Sequence, residues 1–316
     1  MNNNIVTIFG GSGFVGRHIV EILASKGAII RVAVRNPNRA KFLQPLGDVG
    51  QINFIKSNII DSNSVDEAIK GSDHVVNLVG TFSNKGSENF NSIHYEGTKY
   101  ISKACRKYNI KNFVHVSAIG ADLKSNARYH QTKKIGEEAV MLNFPDSTIL
   151  RPSIIFGSQD NFFNLFATIA QFTPVMPVFG DTIISYGKTL YQPVFVEDVA
   201  EAIVLSIEKE SFKGNIYELG GPTVYSFKEI IEMILNYTGK RRFLIPFPYA
   251  IMNIVATFNE ILPLKYPTRD QVKQMKMDNI VNTEALTFED LGIKPSPVEA
   301  IVPAYLSKFK KSQKEI

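Results

Sequence analysis

Cysteine is almost missing from the chain: Cys105 is the one thiol in 316 residues, so no intrachain disulfide framework can form. Histidine is sparse too, and His18, His74, His94, His115 and His130 show no metal-ligand spacing with that thiol, so metal chemistry is not expected. No charged segment, apolar core and cleavage site open the chain. "MNNNIVTIFGG" runs straight into an apolar strand, which points to a reducing, cytoplasmic compartment. Dense runs of one charge are lacking except in the tail "KFKKSQK" (308–314), and no basic stripe is interleaved with stacking aromatics, so nucleic acid is not an expected partner. Repeats and low-complexity segments are absent.

An uninterrupted apolar span is missing as well. "FLIPFPYAIMNIVATFNEIL" (243–262) carries no charge before Glu260, yet Pro246 and Pro248 break its start. The helical remainder of about 15 residues reaches roughly 22 Å, short of a hydrocarbon core of about 30 Å. Ile251, Ile254, Val255, Phe258 and Leu262 form one apolar stripe opposite Asn253, Thr257 and Glu260. That stripe suits core packing, which is the expectation, or an interfacial helix with Arg241 and Arg242 at its edge.

What is present describes one enzyme-sized globule with a large core and a smaller lobe: 44% hydrophobic residues, a net charge of +5 and a pI near 9.0. The runs "IVTIF", "IIRVAV", "INFI", "HVVNLVG", "NFVHVSA" and "STILRPS" alternate with helical patterns, which predicts an α/β fold with a doubly wound parallel sheet of the Rossmann kind. Val15, Ile19, Ile22 and Leu23 supply the apolar stripe of its first helix. Beyond Gly157 the texture changes to Phe- and Pro-rich sequence. Residues 1–157 and 189–221 therefore read as the nucleotide-binding domain, and 158–188 and 222–316 as a smaller substrate or partner lobe. Phe162, Phe163, Phe166 and Phe172 line either an apolar cavity or the core of that lobe.

In "IFGGSGFVGRHIV" the glycines Gly10, Gly13 and Gly16 fall between strand and helix. Glycines at that turn let a pyrophosphate approach the backbone, including Phe14 and Val15, and meet the positive end of the helix. A carboxylate at the end of the second strand would bind the ribose hydroxyls of NAD, but "VAVRNPNRAK" places Arg35 there, with Arg39 a turn later. The pair fits the 2′-phosphate of NADP(H), or else is a solvated loop charge. Asn58 and Asp61 lie beside the expected adenine site, and Leu78, Val79 and Gly80 run under the adenosine. Each is equally compatible with a strand-end turn or a helix cap.

Ser117 ends the fifth strand, and Tyr129 and Lys133 follow four residues apart on one helix face. To exchange protons near neutrality, a phenol of ordinary pKa about 10 must give up about 4 kcal/mol of proton affinity. A lysine charge about 4 Å away supplies about 1 kcal/mol in water and about 4 at an effective dielectric near 20, so the pair works only where water is excluded.

The glycine run, Ser117 and the Tyr129-x-x-x-Lys133 spacing resemble the short-chain dehydrogenase/reductase superfamily. That resemblance implies Tyr129 as general acid/base, Lys133 as the group that lowers its pKa and holds the nicotinamide ribose, and Ser117 as the residue that orients a carbonyl. The segments "LRPSIIFGSQDNFFNLFA", "YQPVFVEDVAEAI", "LPLKYPTRDQV" and "FEDLGIKPSPVEA" are similar, in this order and over nearly the whole chain, to the nucleotide-binding accessory subunits of respiratory complex I (NADH-ubiquinone oxidoreductase) and their bacterial relatives. This narrower resemblance implies a tightly held NADPH, Arg151, Pro152 and Ser153 beside the nicotinamide, and a respiratory-complex or inner-membrane surface as partner. The expected function is an NADP(H)-dependent oxidoreductase acting on a lipophilic carbonyl or a quinone. The alternative is a non-catalytic NADPH-binding module that stabilises a respiratory membrane assembly. A nucleotide-sugar epimerase or dehydratase fits less well, because only "AIGADLKSNAR" links Ser117 to Tyr129, too short for a long substrate-contacting loop.

Overall fold

The fold is given by a computed structural model that describes residues 1–82, 84, 86–261 and 267–310, with the side chains of residues 260 and 261 outside the description. Leu262 and the tail residues 311–314 named above also lie outside it. Two compact units emerge: Met1–Pro152, Val196–Leu219 and Asn282–Lys294 form the first, and Ser153–Phe195, Gly220–Val281 and Pro295–Ile316 the second.

The first unit is the doubly wound parallel sheet that the strand and helix alternation predicts. Its strands are β1 (Ile5–Phe9), β2 (Ile29–Val34), β3 (Ile52–Lys56), β4 (His74–Asn77), β5 (Asn112–Val116), β6 (Thr148–Pro152) and a seventh, Ile216–Leu219. They lie in the order seventh, β6, β5, β4, β1, β2, β3. The helices are α1 (Phe14–Ser25), α2 (Pro37–Ala40), α3 (Ser62–Ile69), α4 (Thr98–Lys107), α5 (Arg128–Asn143) and Val196–Glu208. Because helices cover both faces, β5 is buried at every position, and the strand reads as a continuous apolar run rather than an alternation. Val32, Ile8, Val76 and Val114 sit in register across four strands and are all fully buried, which pins the sheet at its middle. Strand order reverses between β1 and β4, the point where folds of this kind open a ligand crevice at the carboxyl ends of their strands. The buried stripe of α1 is Gly16, Ile19, Val20, Leu23 and Ala24, rotated about one residue from the expected one, since Gly16 packs directly on the preceding loop.

The second unit has a Phe-rich core. Phe163 and Phe166, on helix Phe163–Phe172, join Phe227, Ile230 and Ile234 of helix Phe227–Thr238, and Phe162 packs against them. Phe163 and Phe166 are therefore core on a helix, Phe162 at its N-cap is partly buried against them, and Phe172 at the helix end is exposed. The expectation for the 243–262 segment is overturned. Helix Tyr249–Ile261 buries Tyr249, Met252 and Ala256 against Val272 of helix Arg269–Gln274, whereas Ile251, Ile254, Val255 and Phe258 point outward. The flanking helix packs on the Tyr249, Met252 and Ala256 side, and nothing among the described residues buries the stripe.

Unit boundaries also differ from those read in the sequence. Residues 153–157 and 189–195 cluster with the second unit, since Val194–Phe195 pairs in parallel with Ile155–Phe156. Residues 282–294 return to the first unit, where Glu218 N donates to Leu286 O and Asn282 N donates to the Glu218 carboxylate.

Arg151 on β6 is committed to holding this first unit together. Its Nε and Nη2 donate to the two oxygens of Glu137 on α5 at 2.8 and 2.6 Å, and Nη1 donates to Glu218 on the seventh strand at 3.2 Å. Glu137 is almost wholly buried, so this bidentate pair is the main compensation for desolvating its charge, with Lys134 at 3.4 Å adding to it. Replacing Arg151 with Met removes the partner and leaves the carboxylate stranded. Urea unfolding of Arg151→Met is expected to show a loss of about 3–5 kcal/mol, and a loss within about 0.5 kcal/mol of zero would refute the clamp.

Candidate functional site

The turn from β1 into α1 is shaped by glycine at two positions. Gly10 sits at φ +83°, a left-handed conformation costly for other residues, and a Cβ there would meet Leu78 at 3.3 Å. Gly16 touches the loop so closely that a Cβ would lie 2.5 Å from Gly10 O and from Gly11 Cα. Gly13 N–H donates to Gly10 O at 2.9 Å, and Gly13 is the N-cap of α1 with extended backbone and no side-chain capping bond. The first turn of α1 holds no carboxylate. Its N–H groups, those of Phe14, Val15 and Gly16, have no intrahelical acceptor, and the turn itself carries no competing carboxylate. A diphosphate bridge is the chemical group that such a cradle fits.

Three guanidinium groups lie on α1, at the end of β2 and on α2. Arg35 follows β2, is largely exposed and forms an ion pair with Glu88. Arg39 lies on the short helix α2, also exposed. Arg17, on α1 one residue past the third glycine, stacks over Phe42 at 5.4 Å. Arg17 stands directly after the glycine run in the sequence. Asn58 Oδ1 accepts from Ile60 N at 3.3 Å, and Asp61 caps α3 by accepting from Asn63 N. Asp61 thus plays the part of a helix cap.

The carboxyl ends of β4 and β5 form the floor. Leu78 N donates to Phe9 O, and Val79 N to Asn77 Oδ1, so residues 77–80 lie along the glycine loop. A Cβ on Gly80 would sit 3.4 Å from Lys133 Nζ and 3.9 Å from His94 Nε2. Lys133 Nζ donates to Val116 O at 3.2 Å, next to Ser117. The Ser117 hydroxyl is buried, and its Oγ has no hydrogen-bond partner among the described residues. An orphaned buried hydroxyl costs about 1–3 kcal/mol, which a bound polar group would recover.

His94, to which the sequence reading gave no role, links this floor to the phenol. It lies in a π-helical turn, Asn91–Gly97, that leads into α4. Thr132 Oγ1 donates to backbone carbonyls of its own helix, so it accepts from His94 Nδ1 at 2.9 Å, while Nε2 accepts from Thr81 N at 3.2 Å. One proton on Nδ1 satisfies both contacts, and burial with the nearby Lys133 charge holds the imidazole far below its ordinary pKa. The His94 ring meets Tyr129 edge-on at 5.3 Å, Phe82 stacks on the Tyr129 ring at 5.2 Å, and Phe90 closes another side at 5.9 Å. Nothing in a histidine's sequence neighbourhood announces such a bridge, because it depends on the π-helical turn packing its His94 carbonyl against Gly136 of α5.

The electrostatics depart from what the superfamily resemblance implies. Burial pushes the Tyr129 phenol well above its ordinary value rather than Lys133 drawing it down. Burial lowers Lys133 to about 8, with Glu137 acting in the opposite sense. The aromatic cover screens the Tyr129 phenol from water, and the Lys133 ammonium is taken out of water with the Val116 carbonyl as its acceptor. Pro152 closes β6, its carbonyl accepting from Ile119 N. Ser153 belongs to the second unit, where its hydroxyl donates to Asn279 Oδ1 at 2.6 Å, and the Arg151 guanidinium is held by the two glutamates described above.

A parallel sheet of this strand order, a glycine cradle at its switch point and a Ser/Tyr/Lys floor define a protein of the Rossmann class built around a nicotinamide dinucleotide site. The chain belongs to the NAD dependent epimerase/dehydratase family, whose profile matches residues 6–220. It is 30% identical to the mitochondrial NADH-ubiquinone oxidoreductase 40 kDa subunit of Neurospora crassa over 98% of this chain and 80% of that protein. It is 29% identical to the mitochondrial NADH dehydrogenase [ubiquinone] 1 alpha subcomplex subunit 9 of Mus musculus, over 93% and 78% respectively. A ceramide reductase of Caulobacter vibrioides is 29% identical over 63% of this chain and 60% of its own length. The fold is shared with UDP-glucose 4-epimerase of Thermotoga maritima, solved with UDP-glucose, at a TM-score of 0.71 and 17% identity over 98% of this chain and all of that one.

The lowered pKa of Lys133 has a pH signature. Its folded value of about 8 lies below the unfolded value of 10.5, so between these limits the unfolded chain binds more protons, and stability rises with pH. Urea unfolding is expected to show the wild type gaining stability relative to Lys133→Met between pH 8 and 10.5. A constant difference across that window would mean that the ammonium is not desolvated.

Proposed function

We propose that the chain binds NADP(H) and reduces the carbonyl of a lipophilic ketone or a quinone, working peripherally at the cytoplasmic face of an inner membrane. The observation that carries the catalytic part is the unpartnered, buried Ser117 hydroxyl beside the Lys133 ammonium. When bound, the coenzyme supplies the hydride. Ser117 donates a hydrogen bond to the substrate carbonyl oxygen and orients it. Tyr129, kept protonated by its surroundings, is poised as the acid that delivers a proton to that oxygen, and Lys133 stabilises the phenolate left behind. The aromatic cover of Phe82 and Phe90 excludes water and favours an apolar substrate. The ceramide reductase relative supports a lipophilic substrate class.

Preference for the 2′-phosphate rests on Arg35 and Arg39, with no carboxylate in the strand-end segment that carries them. Arg35 is engaged by Glu88, but an exposed ion pair contributes only about 0–1 kcal/mol. A charge-assisted bond to phosphate is worth about 1.5–3 kcal/mol, so the phosphate displaces the glutamate. Calorimetric titration is expected to give NADPH an affinity at least about tenfold above that of NADH, and Arg35→Ser is expected to remove most of that ratio while leaving NADH unchanged. Equal affinities in the wild type would assign the site to NAD.

A second reading, a non-catalytic NADPH-binding module within a respiratory membrane assembly, is favoured by the raised Tyr129 pKa and by the complex I relatives that match almost the whole chain. NADPH oxidation against a ketone and quinone panel separates the two. Turnover that falls at least about a hundredfold in Tyr129→Phe supports the reductase, and undetectable turnover alongside tight NADPH binding supports the module. Sugar-nucleotide epimerisation fits less well, given the eleven residues between Ser117 and Tyr129, and UDP-sugar binding would revive it.

A further inference from the structure

The outward face of helix Tyr249–Ile261 carries Ile251, Ile254, Val255 and Phe258 at positions i, i+3, i+4 and i+7, with Ile254 59% and Phe258 61% exposed. Ahead of it, strand Phe243–Pro248 turns Phe243, 79% exposed, and Ile245 to solvent. Single exposed apolar side chains need no explanation; a stripe continuous along a helix does. The surrounding charge says what covers it. Residues 240–280 hold seven Lys or Arg against three Asp or Glu, so four of the chain's five excess positive charges fall in this one segment. Arg241, Lys273 and Lys276 are exposed, and Lys276 lies over the ring of Tyr249 at the start of the helix, 5.3 Å from its centre.

We infer that this face seats the second unit on an anionic lipid bilayer, with the helix lying in the interface plane, its apolar stripe among the acyl chains and the basic groups on lipid phosphates. A helix of 13 residues is about 20 Å long, too short to cross, and no helix among the described residues is long and apolar enough to do so. A helix with one apolar face and basic flanks binds such surfaces by combining buried apolar area with attraction to anionic headgroups. A second copy of the chain fits poorly, because a two-fold contact sets the basic flank against itself. The inference gives a surface to the peripheral membrane placement proposed above and rests on that placement, but it does not depend on the cofactor.

The chain has no tryptophan, so Ile254→Trp introduces a single reporter. Full-length protein is mixed with vesicles of phosphatidylcholine alone or mixed with phosphatidylglycerol. Cosedimentation with the anionic vesicles at low salt, its loss at high salt and a blue shift of the reporter emission are the expected results. Ile254→Glu with Phe258→Glu is expected to weaken binding about tenfold or more, and Lys273→Glu with Lys276→Glu to abolish the preference for anionic lipid. Leu142→Glu, at an exposed position on α5, leaves binding unchanged. All these positions are exposed, so unaltered thermal unfolding checks that each variant is folded. Absence of binding to anionic vesicles, or binding unaffected by the double glutamate variant, overturns the inference. So does a sedimentation or capture result in which this face joins a second copy or an acidic protein while vesicles are ignored. NADPH titration of the same preparations keeps the outcomes apart: intact cofactor affinity with no vesicle binding removes only this surface.

Discussion

The site depends on one contact, the seating of Gly16 directly on the backbone of Gly10 and Gly11. A methyl group at residue 16 would collide with the loop, and moving α1 outward to relieve it would carry the first-turn N–H groups away from the crevice between β1 and β4. The same contact explains why the buried stripe of α1 is centred on Gly16, Ile19, Leu23 and their neighbours, and why Gly13 caps the helix without a side chain. An uncapped helix start is a cost of the order of 1 kcal/mol in an isolated fold. Here it leaves donors and a positive dipole end available to an anion.

Opposite the cradle, the floor is organised by burial rather than by exposed charge. His94 bridges Thr81 and Thr132, and its ring meets the Tyr129 ring edge-on. Lys133 rests on Val116 O with its pKa brought down to about 8. Such an arrangement holds a protonated phenol and a readily neutralised ammonium side by side under an aromatic cover. In the proposed reductase reading, it favours proton donation toward an incoming oxygen over free exchange with solvent.

Much of this was legible in the sequence because it rests on local rules. Strand periodicity, the glycine spacing and the four-residue separation of Tyr129 and Lys133 are properties of neighbouring residues, and the sheet and its first helix follow from them. Features set by distant partners were not legible. The ion pairs of Arg151 with Glu137 and Glu218 join residues 14 and 67 positions away, and no local pattern announces them. His94 acquires its role only through Thr132, 38 residues on. The Phe163 and Phe166 rings and the Ile254 and Phe258 stripe have similar patterns, yet one is core and the other is exposed. Only the position of the flanking helix Arg269–Gln274 decides between them.

The claim on which the rest stands is that the open first turn of α1 receives the diphosphate of a nicotinamide dinucleotide. Amide hydrogen exchange with and without NADPH tests this most directly. The account predicts slowed exchange concentrated at residues 10–17, at the β1 to α1 turn. Binding detected by other means with no added protection there would contradict it.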